Sequence, residues 1–168
     1  FLIDTIPEFN VKTAIIISIL AILCAIVSIV FCITLHTSEK LYHKFFKNPY
    51  LRIFVGGCFV LIATLIVGNQ NYNGTGMNII ERCIDGTVKS EDFILKILFT
   101  ALTLGAGFKG GEIVPTFCIG ATFGFVMGSV LGLDIGFSAA LGLVGLFCCV
   151  TNSPISAVFL GIELFGFS

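Results

Sequence analysis

The chain has 168 residues, of which 57% are hydrophobic and only 11% are charged, and its mean hydropathy is +1.08. An average soluble domain carries about 25% charged residues, so this composition excludes an ordinary soluble fold. The formal net charge is −1, and no basic run with interleaved aromatic residues occurs, so no nucleic-acid partner is expected.

Four long stretches without Asp, Glu, Lys, Arg or His locate the membrane segments. They are Thr13 to Leu35, Ile53 to Ile80, Ile113 to Leu133 and Ile135 to Ile162. About 20 apolar residues in a helix cross the ~30 Å hydrocarbon layer, so the pattern predicts an all-α polytopic membrane protein. Because the chain begins with Phe1 and has room for only five or six membrane segments, we expect it to be part of a longer protein.

The first part of the chain predicts two long helices joined by a basic connection. The first helix spans 12–46 and is apolar until His36, and the second spans 51–67 after Asn48 and Pro49. The positive-inside rule places the connection in the cytoplasm, with His36 and His43 at the interface. Four of the nine Lys and Arg residues lie in it: Lys40, Lys44, Lys47 and Arg52.

A polar, glycine-rich loop at 68–76 follows, and it precedes two shorter helices. Residues 77–84 predict a short helix, and residues 91–104 predict a second one with Ser90 as its N-cap. Lys96 lies about one turn inside that second helix, so we expect its side chain to reach the membrane interface.

The last part of the chain predicts three apolar helices whose starts are interrupted by glycine, proline and capping residues. The first begins at Pro115 and ends near Leu133, and the others span 137–150 and 154–165. Glycine recurs every four residues at Gly120, Gly124, Gly128 and Gly132, which predicts close packing of another helix. Interrupted helix starts are typical of the discontinuous helices that build transporter sites at the membrane midplane.

The bend Gly110-Gly111-Glu112-Ile113-Val114-Pro115 is the candidate functional site. A helix start leaves up to four backbone N–H groups without partners, and an anion satisfies them with help from the helix dipole. Free N–H groups are expected at Glu112, Ile113 and Val114, because proline has none. The alternative is an ordinary helix start at the membrane surface with Glu112 in water. An acid inside an otherwise uncharged region favours a functional site.

Two segments of the sequence carry a resemblance to a known family. Residues 107–124, GFKGGEIVPTFCIGATFG, resemble the helix-N region of CLC chloride channels and anion/proton antiporters. Residues 152–164, NSPISAVFLGIEL, are similar to the CLC helix that comes two segments later, and Gly74-Thr75-Gly76 resembles the loop after the family's helix J. The resemblance makes residues 1–168 a fragment of one transmembrane domain, roughly helices I to P, with no soluble domain.

The resemblance implies an all-α fold of discontinuous, tilted helices and a voltage-gated chloride channel or a halide/proton antiporter. Its partners would be a halide ion, chloride or fluoride, together with protons, membrane lipids and a second copy in a homodimer in the plasma membrane. The anion would be held by main-chain amides at Ile113 and Val114, with Gly111 beside them. An acid at Glu112 is similar to the fluoride/proton antiporter branch and would serve the proton path or anion selectivity. Val114 departs from that branch, where threonine often stands.

Other parts of the family pattern do not occur in this chain. The Gly-x-Glu-Gly-Pro motif with its gating glutamate is not in the sequence, and the tyrosine near the end of the family's domain has no counterpart. This chain alone is therefore not expected to transport. Two alternatives stay open: a passive anion channel without proton coupling, and a non-transporting membrane scaffold. With no nucleophile and base, metal-ligand cluster or phosphate loop in view, we expect no enzyme activity, cofactor or metal.

Overall fold

The computed structural model describes residues 10–69, 71–84 and 86–166, and none of these residues forms a strand. The described ranges contain seven α-helices, which confirms the predicted all-α fold. They are α1 (Val11–Phe45), α2 (Pro49–Val67), α3 (Met77–Ile84), α4 (Asp92–Gly105), α5 (Ile113–Leu131), α6 (Ile135–Thr151) and α7 (Pro154–Phe165).

Three of these helices, α1, α2 and α5, are long and apolar enough to cross a membrane, and α6 and α7 are shorter apolar helices. The 35 residues of α1 extend about 52 Å at 1.5 Å per residue, which exceeds the ~30 Å hydrocarbon layer. Its last turn carries the basic residues His43 and Lys44.

Short polar side chains begin several of the helices. Asn48 Oδ1 accepts a hydrogen bond from the Tyr50 N–H at 3.0 Å, with Pro49 as the first residue of α2. Asp134 Oδ1 accepts from the Phe137 N–H at 3.1 Å and begins α6 in the same way. The prediction of Ser90 as the cap of α4 was wrong by one residue. Glu91 occupies the cap position and makes no side-chain capping bond.

The glycines of α5 bring it to backbone distance from α6. A side-chain carbon on Gly124 would overlap the Ser138 carbonyl oxygen, and one on Gly128 would overlap the Ser138 hydroxyl group. Gly120 lies equally close to the Gly142 backbone. The predicted glycine face is thus confirmed for three of its four members. Gly132 instead ends α5 in the left-handed conformation, with φ of 71°, and packs against nothing.

The bend between α4 and α5, residues 106–112, is held by side chains from α1 and α2. Ser38 Oγ donates to the Ala101 carbonyl at 2.7 Å, and Arg52 Nε donates to the Ala106 carbonyl at 3.2 Å. The Arg52 guanidinium also lies 2.9 Å from the His43 ring. These bonds attach α4 to α1, and the first residue of the bend to the basic connection.

Candidate anion site at the start of helix α5

The start of α5 presents backbone N–H groups without acceptors. Glu112 occupies the N-cap position, and its carbonyl accepts hydrogen bonds from the Thr116 N–H at 3.1 Å and the Thr116 hydroxyl at 2.7 Å. Across the ranges that the structure describes, the N–H groups of Glu112, Ile113 and Val114 donate to no protein acceptor. The helix begins at Ile113, two residues earlier than predicted, so Pro115 is its third residue and adds no further free donor.

A cavity of about 410 Å³ lies beside this helix start. Gly110, Gly111 and Val114 form part of its wall, whereas Ile113 does not line it and has a side chain that is 50% exposed. The charged residues that line the cavity are Lys96 and Lys109, and no carboxylate lines it. The remaining lining residues come from α2, α4, α5 and the loop before α3. They are Val60, Tyr72, Asn73, Gly74, Thr75, Phe99, Thr100, Thr103, Leu104 and Pro115.

Lys96 is buried in the wall of this cavity, with 1% of its surface exposed. Its Nζ donates hydrogen bonds to the carbonyl oxygens of Tyr72, at 3.0 Å, and Gly74, at 2.8 Å. The prediction that this side chain would reach the interface was wrong, because these two carbonyls solvate the ammonium group inside the protein. The cation therefore fixes the 71–76 loop against α4 and adds positive charge to the cavity wall.

Tyr72 links the same loop to an acid one helical turn before Lys96. The Tyr72 hydroxyl donates to a carboxylate oxygen of Asp92, which is buried and also accepts from the Lys89 N–H at 3.1 Å. Burial, followed by the hydrogen bond to Asp92, raises the pKa of Tyr72, so its hydroxyl stays protonated as the donor. Asp92 does not line the cavity, and its oxygens face these two donors.

Glu112 lines a different cavity, of about 240 Å³. This second cavity is lined by the α1 residues Cys32, Leu35, His36 and Glu39 and by Leu104, Gly105, Phe108, Gly110 and Glu112. Leu104 and Gly110 line both cavities, so a lysine-lined cavity and an acid-lined one adjoin at these two residues.

Of the predicted site residues, Gly111 and Val114 line the lysine-lined cavity, Glu112 lines the second cavity, and Ile113 lines neither. The structure also adds residues that the sequence analysis did not assign to the site. Gly111, Glu112, Ile113 and Val114 are consecutive, so their proximity follows from the chain itself. Lys96, His36 and Glu39 come from distant elements. Lys96 had a usable signal, because it is a lone lysine in an apolar helix, and such residues in membrane segments are usually functional.

A family model described as voltage gated chloride channel matches residues 2–168. The chain belongs to this family. The match confirms the resemblance drawn from residues 107–124 and 152–164, and members of the family are integral membrane proteins, in keeping with the apolar helices of the fold.

Relatives of the voltage gated chloride channel family include transporters and channels. The chain is 35% identical over 122 residues, 69% of its length, to a chloride/fluoride channel protein of Pseudomonas syringae pv. tomato, of which the match covers 27%. It is 25% identical over 135 residues, 73% of its length, to the H(+)/Cl(-) exchange transporter ClcA of Vibrio vulnificus, of which the match covers 28%.

A solved structure shares the fold over the whole chain. It is the crystal structure of a CLC-type fluoride/proton antiporter, with a TM-score of 0.95 and 28% sequence identity, and the match covers 100% of this chain and 43% of that protein. The chain thus spans less than half the length of the relatives it matches, and the fold agrees with that of the antiporter throughout.

Proposed function

We propose that this chain forms the second half of the membrane domain of a halide transporter, with the halide held at the start of α5 by backbone amides at Gly111, Ile113 and Val114. One observation carries the proposal: Gly111 and Val114 line a cavity whose charged lining residues are both lysines, and the N–H groups from Glu112 to Val114 have no protein acceptor. Where water is excluded, an N–H group without a partner costs about 1–3 kcal/mol, and an anion removes that penalty. The dipole of α5 favours a negative charge at the same position.

Fluoride is the proposed halide, and Glu112 is the proposed proton carrier. The acid at position 112 is similar to the fluoride/proton antiporter branch, and the solved structure that shares this fold is such an antiporter. A carboxyl group beside an apolar membrane interior exists in charged and neutral forms, so it can take up and release a proton. Its separate cavity lets Glu112 change charge without placing a carboxylate in the lysine-lined cavity.

A passive channel for the same ions is the second candidate, because one relative is named a chloride/fluoride channel protein. The two candidates differ in proton movement only. In either case we propose a homodimer with one anion pathway per subunit in the plasma membrane. Large exposed apolar side chains on α2, such as Leu65 and Ile66 at 80% exposure each, require lipid or protein to cover them.

Reconstitution of the full-length parent protein in liposomes tests the proposal. Efflux of fluoride and of chloride is followed with ion-selective electrodes, and proton movement with a trapped pH dye. We expect faster efflux of fluoride than of chloride, proton movement in the opposite direction, and loss of that proton movement in Glu112→Gln. Glu91→Gln is the control, because Glu91 is an exposed acid outside both cavities.

Each result decides one part of the proposal. Efflux no faster than from protein-free liposomes would refute halide transport. Faster chloride efflux would refute the choice of fluoride. Uncoupled halide efflux in the parent protein would support the passive channel, and proton coupling that survives Glu112→Gln would remove the proton role of that residue.

A further inference from the structure

Glu112 shares its cavity with two titratable residues of α1. His36 and Glu39 line this cavity together with Cys32, and all three lie on one face of α1 because their spacing is four and three residues. Among the described residues, no lysine or arginine lines it. Two acids and an imidazole from two distant segments therefore share one polar space.

The neighbouring contacts hold α1 against the end of α4, just before the bend. Leu35 is buried in a cluster with Ile97 and Ala101 of α4, and Ser38 Oγ donates to the Ala101 carbonyl at 2.7 Å. A side-chain carbon on Gly105 would overlap the Ser38 hydroxyl group, so α1 and α4 are in close contact at this level. His36 and Glu39 flank these contacts, and their positions relative to the bend are set by packing.

The side chains in the cavity neither pair with one another nor form a metal site. No ion pair joins His36 to either acid, and no group of three His, Cys, Asp or Glu residues in the described part of the chain could hold a metal ion. At about 30 Å³ per molecule, a volume of about 240 Å³ holds several waters. Waters between these groups would therefore connect them, and imidazole and carboxyl groups both exchange protons with water.

We propose that His36 and Glu39 relay protons through this water between the basic end of α1 and Glu112. The inference rests on the proposed proton role of Glu112. When a proton moves from the basic end of α1 to Glu112, the carboxyl group of Glu39 gives its proton through water to one nitrogen of neutral His36. The imidazolium then releases its proton from the other nitrogen, through water, to the Glu112 carboxylate. Water outside the membrane reprotonates Glu39, so one proton enters for each that reaches Glu112.

Arg52, His43 and Lys109 make contacts outside the cavity of the relay. Arg52 and His43 contact each other, and Arg52 binds the Ala106 carbonyl, so these two groups support the bend. Lys109 lines the lysine-lined cavity, together with Lys96. Proton exchange at His36 and Glu39 therefore leaves the charges of the lysine-lined cavity unchanged.

The test uses the full-length parent protein in liposomes, with His36→Gln, Glu39→Gln and the double variant. Both side chains are exposed in this chain, so their replacement removes no packing from the core. Proton movement is measured with a trapped dye during fluoride efflux, and protein-free liposomes correct for leakage of hydrogen fluoride. We expect the double variant to lose about tenfold or more in proton movement, since general acid–base groups contribute at least that much. Fluoride affinity, measured by calorimetry in detergent, should stay within about twofold of the parent value.

Matched controls separate the relay from general damage. Glu91→Gln removes an exposed acid outside both cavities. It should keep proton movement within twofold of the parent value, and Glu39→Asp should restore most of the rate lost in Glu39→Gln.

The outcome also distinguishes the relay from the proposed function. If the double variant moves protons at the parent rate while Glu112→Gln does not, the relay is refuted and the proposed function stands. If Glu112→Gln itself moves protons at the parent rate, the proton role of Glu112 is refuted, and the relay is refuted with it.

Discussion

Replacing Gly124 with alanine tests the packing that positions the anion site. A side-chain carbon at Gly124 would overlap the Ser138 carbonyl oxygen and would lie 2.9 Å from the Gly142 Cα atom. Both neighbours are backbone atoms of α6, so neither can rotate away, and the two helices must separate. Overpacking of this kind costs about 1–3 kcal/mol, and alanine recovers about 0.5–1 kcal/mol over glycine in a helix. We expect a net loss of about 1–2 kcal/mol in the free energy of unfolding.

Gly136→Ala provides the matched control for this substitution. Gly136 lies in the first turn of α6, and the nearest atom to an added carbon there is Asp134 Oδ1 at 3.5 Å, an ordinary contact. Its stability should match or slightly exceed that of the parent protein, because alanine favours the helix. The free energies are compared by denaturant titration of the full-length parent protein in mixed micelles. Equal stability of Gly124→Ala and Gly136→Ala would refute the assignment of this interface as a backbone-distance contact.

Two further substitutions test the lysine-lined cavity as the proposed anion site. Lys96→Met removes the ammonium group that donates to the Tyr72 and Gly74 carbonyls, and hydrogen bonds from charged groups contribute about 1.5–3 kcal/mol, so we expect faster amide hydrogen exchange in residues 71–76. The variant also removes one of the two positive charges that line the cavity, so we expect fluoride affinity in calorimetry to weaken at least about fivefold. Unchanged affinity in a folded variant would show that the cation serves the loop alone. Val114→Thr adds a hydroxyl donor at the cavity wall and should strengthen fluoride binding by about two- to tenfold, for a hydrogen bond of about 0.5–1.5 kcal/mol. Weaker or equal binding would place the anion away from this side chain.

The helices of this protein could be predicted largely from the sequence. The apolar runs in α1, α2 and α5 extend over consecutive residues, and Pro154 marks a helix start by local chemistry. The glycine spacing in α5 predicted a contact face, although the last member of the series, Gly132, ends the helix instead. The start of α5 was predicted two residues too late, because Pro115 and Glu112 are competing local signals there.

The sequence by itself determined the membrane class of the protein, the family resemblance and the helix start at which the anion site is proposed, because free N–H groups at a helix start depend on neighbouring residues alone. Only the tertiary structure decided that Lys96 is buried, since the carbonyls that solvate its charge belong to Tyr72 and Gly74 in a separate loop. It also decided that Glu112 shares a cavity with His36 and Glu39, and that the lysines lie in the other cavity. The energy of a buried charge depends on which distant groups surround it, and packing of the whole chain brings those groups together.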